Sequence, residues 1–230
     1  MAHSLPETFA PLLLRWYAAG HRDLPWRQDR EPYRIPRRVQ DVIPIQCVWP
    51  DGIFKVGIKF SKTSGGIFID AASHDIDLMR WFLGGEVTEV YAAGTNFKHP
   101  EFAENGDTET GMAMLKFDNG TVAFLHVGRT APHGYHTETE IVGTEAHIRV
   151  AGVPWKDRVM VYDQYGARQE IVENFPQRFA EAYLLEMVDF IDCIQKDRKP
   201  ELTVYDGTKV SQAAYRCKES FETGEMLVNE

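Results

Sequence analysis

The chain has 230 residues, 43% of them hydrophobic and 12% aromatic, which is enough apolar side chain for a packed core and too much for global disorder. Thirty-four acidic residues against 25 basic ones give a formal charge of −9, the wrong sign for sequence-independent nucleic-acid binding, which needs cations to displace counterions. Three scattered cysteines, Cys47, Cys193 and Cys217, make neither a disulfide framework nor a zinc spacing. With no signal-peptide pattern at the N-terminus and no apolar run of ~18 residues, the expectation is a soluble cytoplasmic protein.

In chain order, "ETFAPLLLRWYAAG" (Glu7–Gly20) reads as a short amphipathic helix closed by Gly20. "HRDLPWRQDREPYRIPRRVQ" (His21–Gln40) has little periodicity, and "IFKVGIKFSK" (Ile53–Lys62) alternates as a strand does. Ile69, Ala72, Ile76, Met79 and Phe82 or Leu83 recur at spacings of three and four and predict a helix stopped by Gly84-Gly85. A strand series follows over Glu86–Thr95, Thr108–Phe117, Thr121–Thr130, Tyr135–Gly143, His147–Ala151, Arg158–Asp163 and Arg168–Val172, with a tight turn at "DNGT" (Asp118–Thr121). Two amphipathic helices end the chain, Arg178–Gln195 and Tyr205–Gly224, the second with Asp206 as N-cap and Gly224 as terminator. Helix, strands, then helices predict an α+β fold with one open, mainly antiparallel sheet packed on helices, its other face free for a second subunit.

Asp70 and His74 lie four residues apart, neighbours on one face of the predicted helix. A carboxylate beside an imidazole orients the ring and favours its protonated form, a useful setting for general acid or base work. On spacing alone the pair reads first as an exposed helix face with an ordinary ion pair.

The surrounding stretch, "KTSGGIFIDAASHDIDLMRWFLG", resembles the hallmark segment of the inositol dehydrogenase and glucose-fructose oxidoreductase (Gfo/Idh/MocA) family, through Gly65, Gly66, Asp70, His74, Asp77 and Trp81. The likeness continues through "TETEIVGTEAHIRV" and "FAEAYLLEMVDFIDCIQKDRKPELTVYDG", from about Lys59 to Glu230. It implies the second, substrate-binding and catalytic domain of an NAD- or NADP-dependent oxidoreductase acting on a polyol or sugar hydroxyl. By position, His74 is then the base that takes the hydroxyl proton, and Asp70 holds His74 and binds a substrate hydroxyl. "GRTAPHGYH" (Gly128–His136) resembles the family segment that reaches the substrate, through Arg129, His133 and Tyr135. The family uses no catalytic metal, and its sheet builds a homo-oligomer. A Tyr135 ring that only packs and a solvated loop His133 are the plain alternatives.

The family's cofactor domain is expected ahead of this one, with a glycine fingerprint cradling the pyrophosphate. No two of the 18 glycines are separated by a single residue, and the "EKP" that would carry the family's lysine does not occur. Cofactor-binding residues are therefore expected to be none in this chain, with a separate Rossmann domain as a partner. "FAPLLLRWYAAGHRDLPWRQDREPYRI" (Phe9–Ile35) instead resembles the start of adenine DNA glycosylases, without their catalytic residues or four-cysteine cluster. The expected organisation is a glycosylase-like leader over 1–35, a junction over 36–64 to which neither resemblance assigns a structure, and the oxidoreductase domain over 65–230. The functional expectation is a substrate domain of an inositol 2-dehydrogenase-like enzyme, inactive alone. The alternatives are a non-enzymatic oligomerisation or sugar-binding module and a glycosylase fragment; no nucleic acid and no membrane is expected as a partner.

Overall fold

The computed structural model describes residues 39–47 (backbone only), 54–131, 133–150 and 155–229, with the side chains of 54–57 left aside. The leader helix and the glycosylase-like segment expected before residue 36 lie outside these residues. The chain divides into two compact units. One runs from Val39 to Arg178 and again from Leu202 onward; Phe179–Glu201 belongs to the other.

The larger unit is built on a seven-stranded sheet. Its strands are β1 (Val39–Cys47), β2 (Val87–Thr95), β3 (Thr110–Phe117), β4 (Val122–Gly128), β5 (His136–Gly143), β6 (His147–Val150) and the short β9 (Leu227–Val228). The order across the sheet is β6-β5-β1-β4-β3-β2-β9, and every pair is antiparallel except β1 with β4. β1 thus runs inside the sheet, within the stretch expected to be a junction, and separates the sequence neighbours β4 and β5. β7 (Val161–Asp163) and β8 (Gly166–Arg168) make a separate hairpin, shorter than the two predicted strands there.

The helices of this unit are α1 (Phe54–Ser64), α2 (Ile67–Asp70), α3 (Ala72–Leu83), α4 (Phe175–Arg178) and α6 (Val204–Thr223). α1 replaces the strand expected over Ile53–Lys62. Ten residues of apolar alternation fit either period, and tertiary contacts decide: the Asn105 side-chain amide donates to the Ile58 carbonyl at 3.2 Å and to Ser61 Oγ at 2.9 Å, both on α1. The helix expected through Asp70 is two helices broken at Ala71. α3 ends where its glycine predicts, Gly84 being left-handed at φ 63°. Asp206 is not the N-cap of α6; Thr203 is, and Asp206 closes a capping box by accepting from the Thr203 N–H at 2.8 Å. The "DNGT" turn joins β3 to β4, with Gly120 at φ 84°.

Period-2 alternation puts Val90, Ala92, Ala113, Leu115, Ala123, Leu125 and Val127 on one sheet face. Ile76 and Met79 of α3 and Ala213, Ala214 and Cys217 of α6 cover that face and complete the core. The edge of β2 beyond β9 is closed by α6, whose Ser220 Oγ accepts from the Ala92 N–H at 2.9 Å. The opposite face carries Tyr91, Met112 and Phe124, all exposed.

In the other unit, α5 (Ala180–Lys196) ends at Asp197, left-handed at φ 48°. Arg198 pairs there with Asp189 and Asp192. No helix of the described residues is long and apolar enough to cross a membrane.

Candidate active site

The site is built around the start of α2. Gly65 and Gly66 both have positive φ, 86° and 95°, a conformation costly for residues with a Cβ. A Cβ on Gly66 would lie 3.0 Å from Asp107 Oδ1. The glycine therefore admits a carboxylate against the helix start, and Asp107 Oδ1 accepts from the Ile67 N–H at 2.8 Å. Ile67 and Phe68 are buried in the core, which fixes the short helix and leaves Asp70 at its far end.

Asp70 turns to Arg129. Arg129 Nη1 donates to Asp70 Oδ2 at 3.3 Å, and Nη2 donates to Asp107 Oδ2 at 3.3 Å. The Arg129 and Asp107 side chains are 3% and 4% exposed, that of Asp70 27%. Arg129 stands just beyond β4, where its N–H donates to the Glu109 carbonyl at 2.7 Å, and its guanidinium lies 5.6 Å from the centre of the buried Phe102 ring. Its Nε is buried without a hydrogen-bond partner among the described residues.

His74 is exposed one turn along the chain, on α3. The break at Ala71 separates it from the helix of Asp70, and among the described residues no hydrogen bond joins the two side chains. His74 acts electrostatically on Asp77: burial pushes the Asp77 carboxyl above its ordinary range, Arg80 draws it down, Asp206 raises it, and His74 lowers it further.

His133 and Tyr135 are placed differently from Arg129. The exposed His133 has Nε2 3.1 Å from Nδ1 of His136, whose Nε2 lies 3.3 Å from Glu138 Oε2. Glu138 also accepts from Arg149, and that bond, more than any other influence, holds its carboxyl below the usual range. Tyr135 is buried, its N–H donating to the Val172 carbonyl at 2.9 Å. The structure thus joins Asp70 to Arg129 and sets His133 in a second polar chain.

Asp107 is the residue of this site that sequence reasoning missed. Its partners lie 40 and 22 residues away, so no local spacing announces it. The available signal is an acid in "NGDTET" before a predicted strand.

A dinucleotide does not fit the described residues. The one paired-glycine turn that opens a helix, Gly65-Gly66, already presents its following N–H to the carboxylate of Asp107, which would repel a pyrophosphate. Among the described residues no cluster of three or more His, Cys, Asp or Glu side chains is placed to hold a metal ion.

An open, mainly antiparallel sheet with helices on one face, and a Gly-Gly, Asp, His segment running into α2 and α3, is the arrangement to compare with Gfo/Idh/MocA-type oxidoreductases. Residues 47–149 match the family described as GFO/IDH/MocA C-terminal domain. The chain is 33% identical over 166 residues to scyllo-inositol 2-dehydrogenase (NAD(+)) of Bacillus subtilis, covering 72% of this chain and 48% of that protein. It is 30% identical over 166 residues to myo-inositol 2-dehydrogenase of Thermotoga maritima, covering 72% and 49%. Scyllo-inositol dehydrogenase from Lactobacillus casei, solved with bound cofactor NAD(H) and scyllo-inositol, matches with a TM-score of 0.78 at 33% identity, covering 96% of this chain and 60% of that one. These likenesses support the GFO/IDH/MocA family and, within it, the inositol dehydrogenases. The chain spans about half the length of the curated relatives it matches.

Proposed function

We propose that this chain is the substrate-binding and catalytic domain of an inositol dehydrogenase-like oxidoreductase, and that a cyclic polyol binds across Asp70 and His74. The observation that carries this is the setting of Asp70: one carboxylate oxygen is held by Arg129, while the side chain stays partly exposed, four residues ahead of the exposed His74. In this reading Asp70 accepts a hydrogen bond from one hydroxyl of the polyol. His74 accepts the proton of the hydroxyl undergoing oxidation. Arg129 contributes through Asp70, and His133 lines the approach.

The nicotinamide, which supplies the redox chemistry when bound, is assigned to residues other than those described. Without a domain that holds that cofactor, no polyol turnover is expected. The relatives named above support the substrate class. For the open sheet face, we propose a second copy of the chain as occupant, on the strength of exposed Tyr91, Met112 and Phe124.

Titration of the chain with myo- or scyllo-inositol, followed on the His74 ring protons by NMR, tests the site. The expected result is a saturable shift of His74 that Asp70→Asn removes. An unmoved His74 at inositol saturation of a folded sample would sink the reading. Tight saturable NAD binding would overturn the cofactor assignment, and a strictly monomeric light-scattering mass would overturn the second copy.

A further inference from the structure

We propose that Asp107 is a positioning residue for Asp70, setting both its backbone and its side chain. The inference rests on the reading of Asp70 as the substrate-binding carboxylate, and it concerns how that carboxylate is aimed.

The geometry is a closed loop. Asp107 Oδ1 accepts from the N–H of Ile67, the first residue of α2, and from that of Thr108, both at 2.8 Å. The first bond fixes the start of the four-residue helix whose last residue is Asp70. Asp107 Oδ2 accepts from Arg129 Nη2, and Arg129 Nη1 reaches Asp70 Oδ2. One buried carboxylate thus holds the two ends of the lever that carries Asp70: the peptide at the root of its helix and the guanidinium at its tip.

A purely structural acid needs only one of these attachments. Having both has a consequence for the chemistry. Arg129 is shared between two carboxylates at equal distances of 3.3 Å, longer than the roughly 2.7–2.9 Å of a tight charge-assisted pair. Asp107 therefore keeps Arg129 from closing onto Asp70 as a private ion pair. It leaves Asp70 oriented through Oδ2, with Oδ1 available to a hydroxyl. The glycine pair fits this role, since the approach of Asp107 to the helix start requires Gly66 to lack a Cβ.

Removing the charge of Asp107 has a signed outcome. Asp107→Asn retains an oxygen for the two N–H groups but surrenders Arg129 to Asp70 and removes a nearby negative charge. Arg129 then closes onto Asp70 as a tighter pair. Inositol binding weakens by about tenfold, because the carboxylate is now engaged by the guanidinium.

The experiment compares the full 230-residue chain with its Asp107→Asn variant at one fixed pH, both carrying 13C-carboxyl aspartate, with Asp70 assigned through Asp70→Asn. A displaced Asp70 carboxyl resonance in folded Asp107→Asn, before any inositol is added, supports the proposal, and an unmoved one overturns it. Should Asp107→Asn not fold, Asp107→Glu decides, since its longer side chain displaces the carboxylate from both partners. The Ile67 amide and the Asp70 carboxyl resonances must then both move, and an unmoved Asp70 carboxyl overturns the proposal. The inositol titration of the wild-type chain is read separately. If His74 ignores inositol while the Asp70 resonance still responds to the change at Asp107, the functional reading fails and the positioning stands.

Discussion

Two buried arginines of the same unit, Arg80 and Arg129, face carboxylates in opposite ways. Arg80 grips Glu86 with two bonds, from Nε at 2.8 Å and Nη2 at 2.7 Å, and also meets Asp206 at 3.5 Å and Asp77 at 3.6 Å. Arg129 makes two single contacts of 3.3 Å, and among the described residues its Nε has no partner. Arg80 ties α3 to the chain before β2 and to the capped start of α6, a saturated clamp whose guanidinium is held above its ordinary range chiefly by its hydrogen bond to Glu86. Arg129 is bound but not saturated. The difference separates holding a fold together from aiming a group that has further work to do.

The largest effect should come from Arg129→Met. Its partner Asp107 is as buried as the arginine itself, and stranding a buried charge costs about 3–5 kcal/mol. Urea denaturation should show that loss, and the His74 response to inositol should go with it. A loss of stability with an intact inositol response would erase the distinction drawn between the two arginines.

Asp75 offers another buried carboxyl, one whose pKa burial governs. It is pushed up from 3.8 to about 7. The folded state then binds more protons than the unfolded state between those values, so stability from this group is full at low pH and lost as pH rises through about 7. Asp75→Asn should flatten that decline and raise stability at pH 8 by up to about 4 kcal/mol, and less where the site relaxes. Chemical denaturation at pH 5 and pH 8 checks it; a wild-type chain no less stable at pH 8 counts against it.

Arg80→Met should cost less than Arg129→Met, about 1–2 kcal/mol. The Glu86, Asp206 and Asp77 side chains are between 27% and 35% exposed, and water takes over part of their solvation. The inositol response of His74 should survive unchanged. Thr203→Ala should cost the least, about 0.5–1 kcal/mol. The Thr203 hydroxyl is the foremost cause of the lowered Asp206 pKa, so the Asp206 midpoint should rise in the same variant. A thermal melt and a carboxyl titration read the two together.

Much of the fold was legible because it rests on local rules. Gly84 and Gly224 stop helices as their positions predict, the Asp118–Thr121 turn lies where its residues require, and alternation marks β2 to β5 within a few residues. The break at Ala71 and the helix at Phe54–Ser64 were hidden, since both are settled by contacts with distant chain such as Asp107 and Asn105. β1 was hidden for a related reason: its place in the sheet depends on two partners far along the sequence. In the candidate site, spacing placed Asp70 and His74 together, and only the surrounding motif singled them out. That Arg129 serves Asp70 through a guanidinium shared with Asp107 could not, because a buried carboxylate is recognised by what neutralises it.

The position of β1 also sets the order in which such a site can assemble. Cys47, the last residue of β1, stands between Gly128 and His136. The connection bearing Arg129, His133 and Tyr135 must therefore bridge two strand spacings, roughly 9.6 Å, across the end of a strand from much earlier in the chain. β4 and β5 cannot simply zip together as a hairpin. Closing that bridge demands non-local pairing, which is slow to form. Closure of the loop that bears Arg129, His133 and Tyr135 thus waits on the insertion of a single strand.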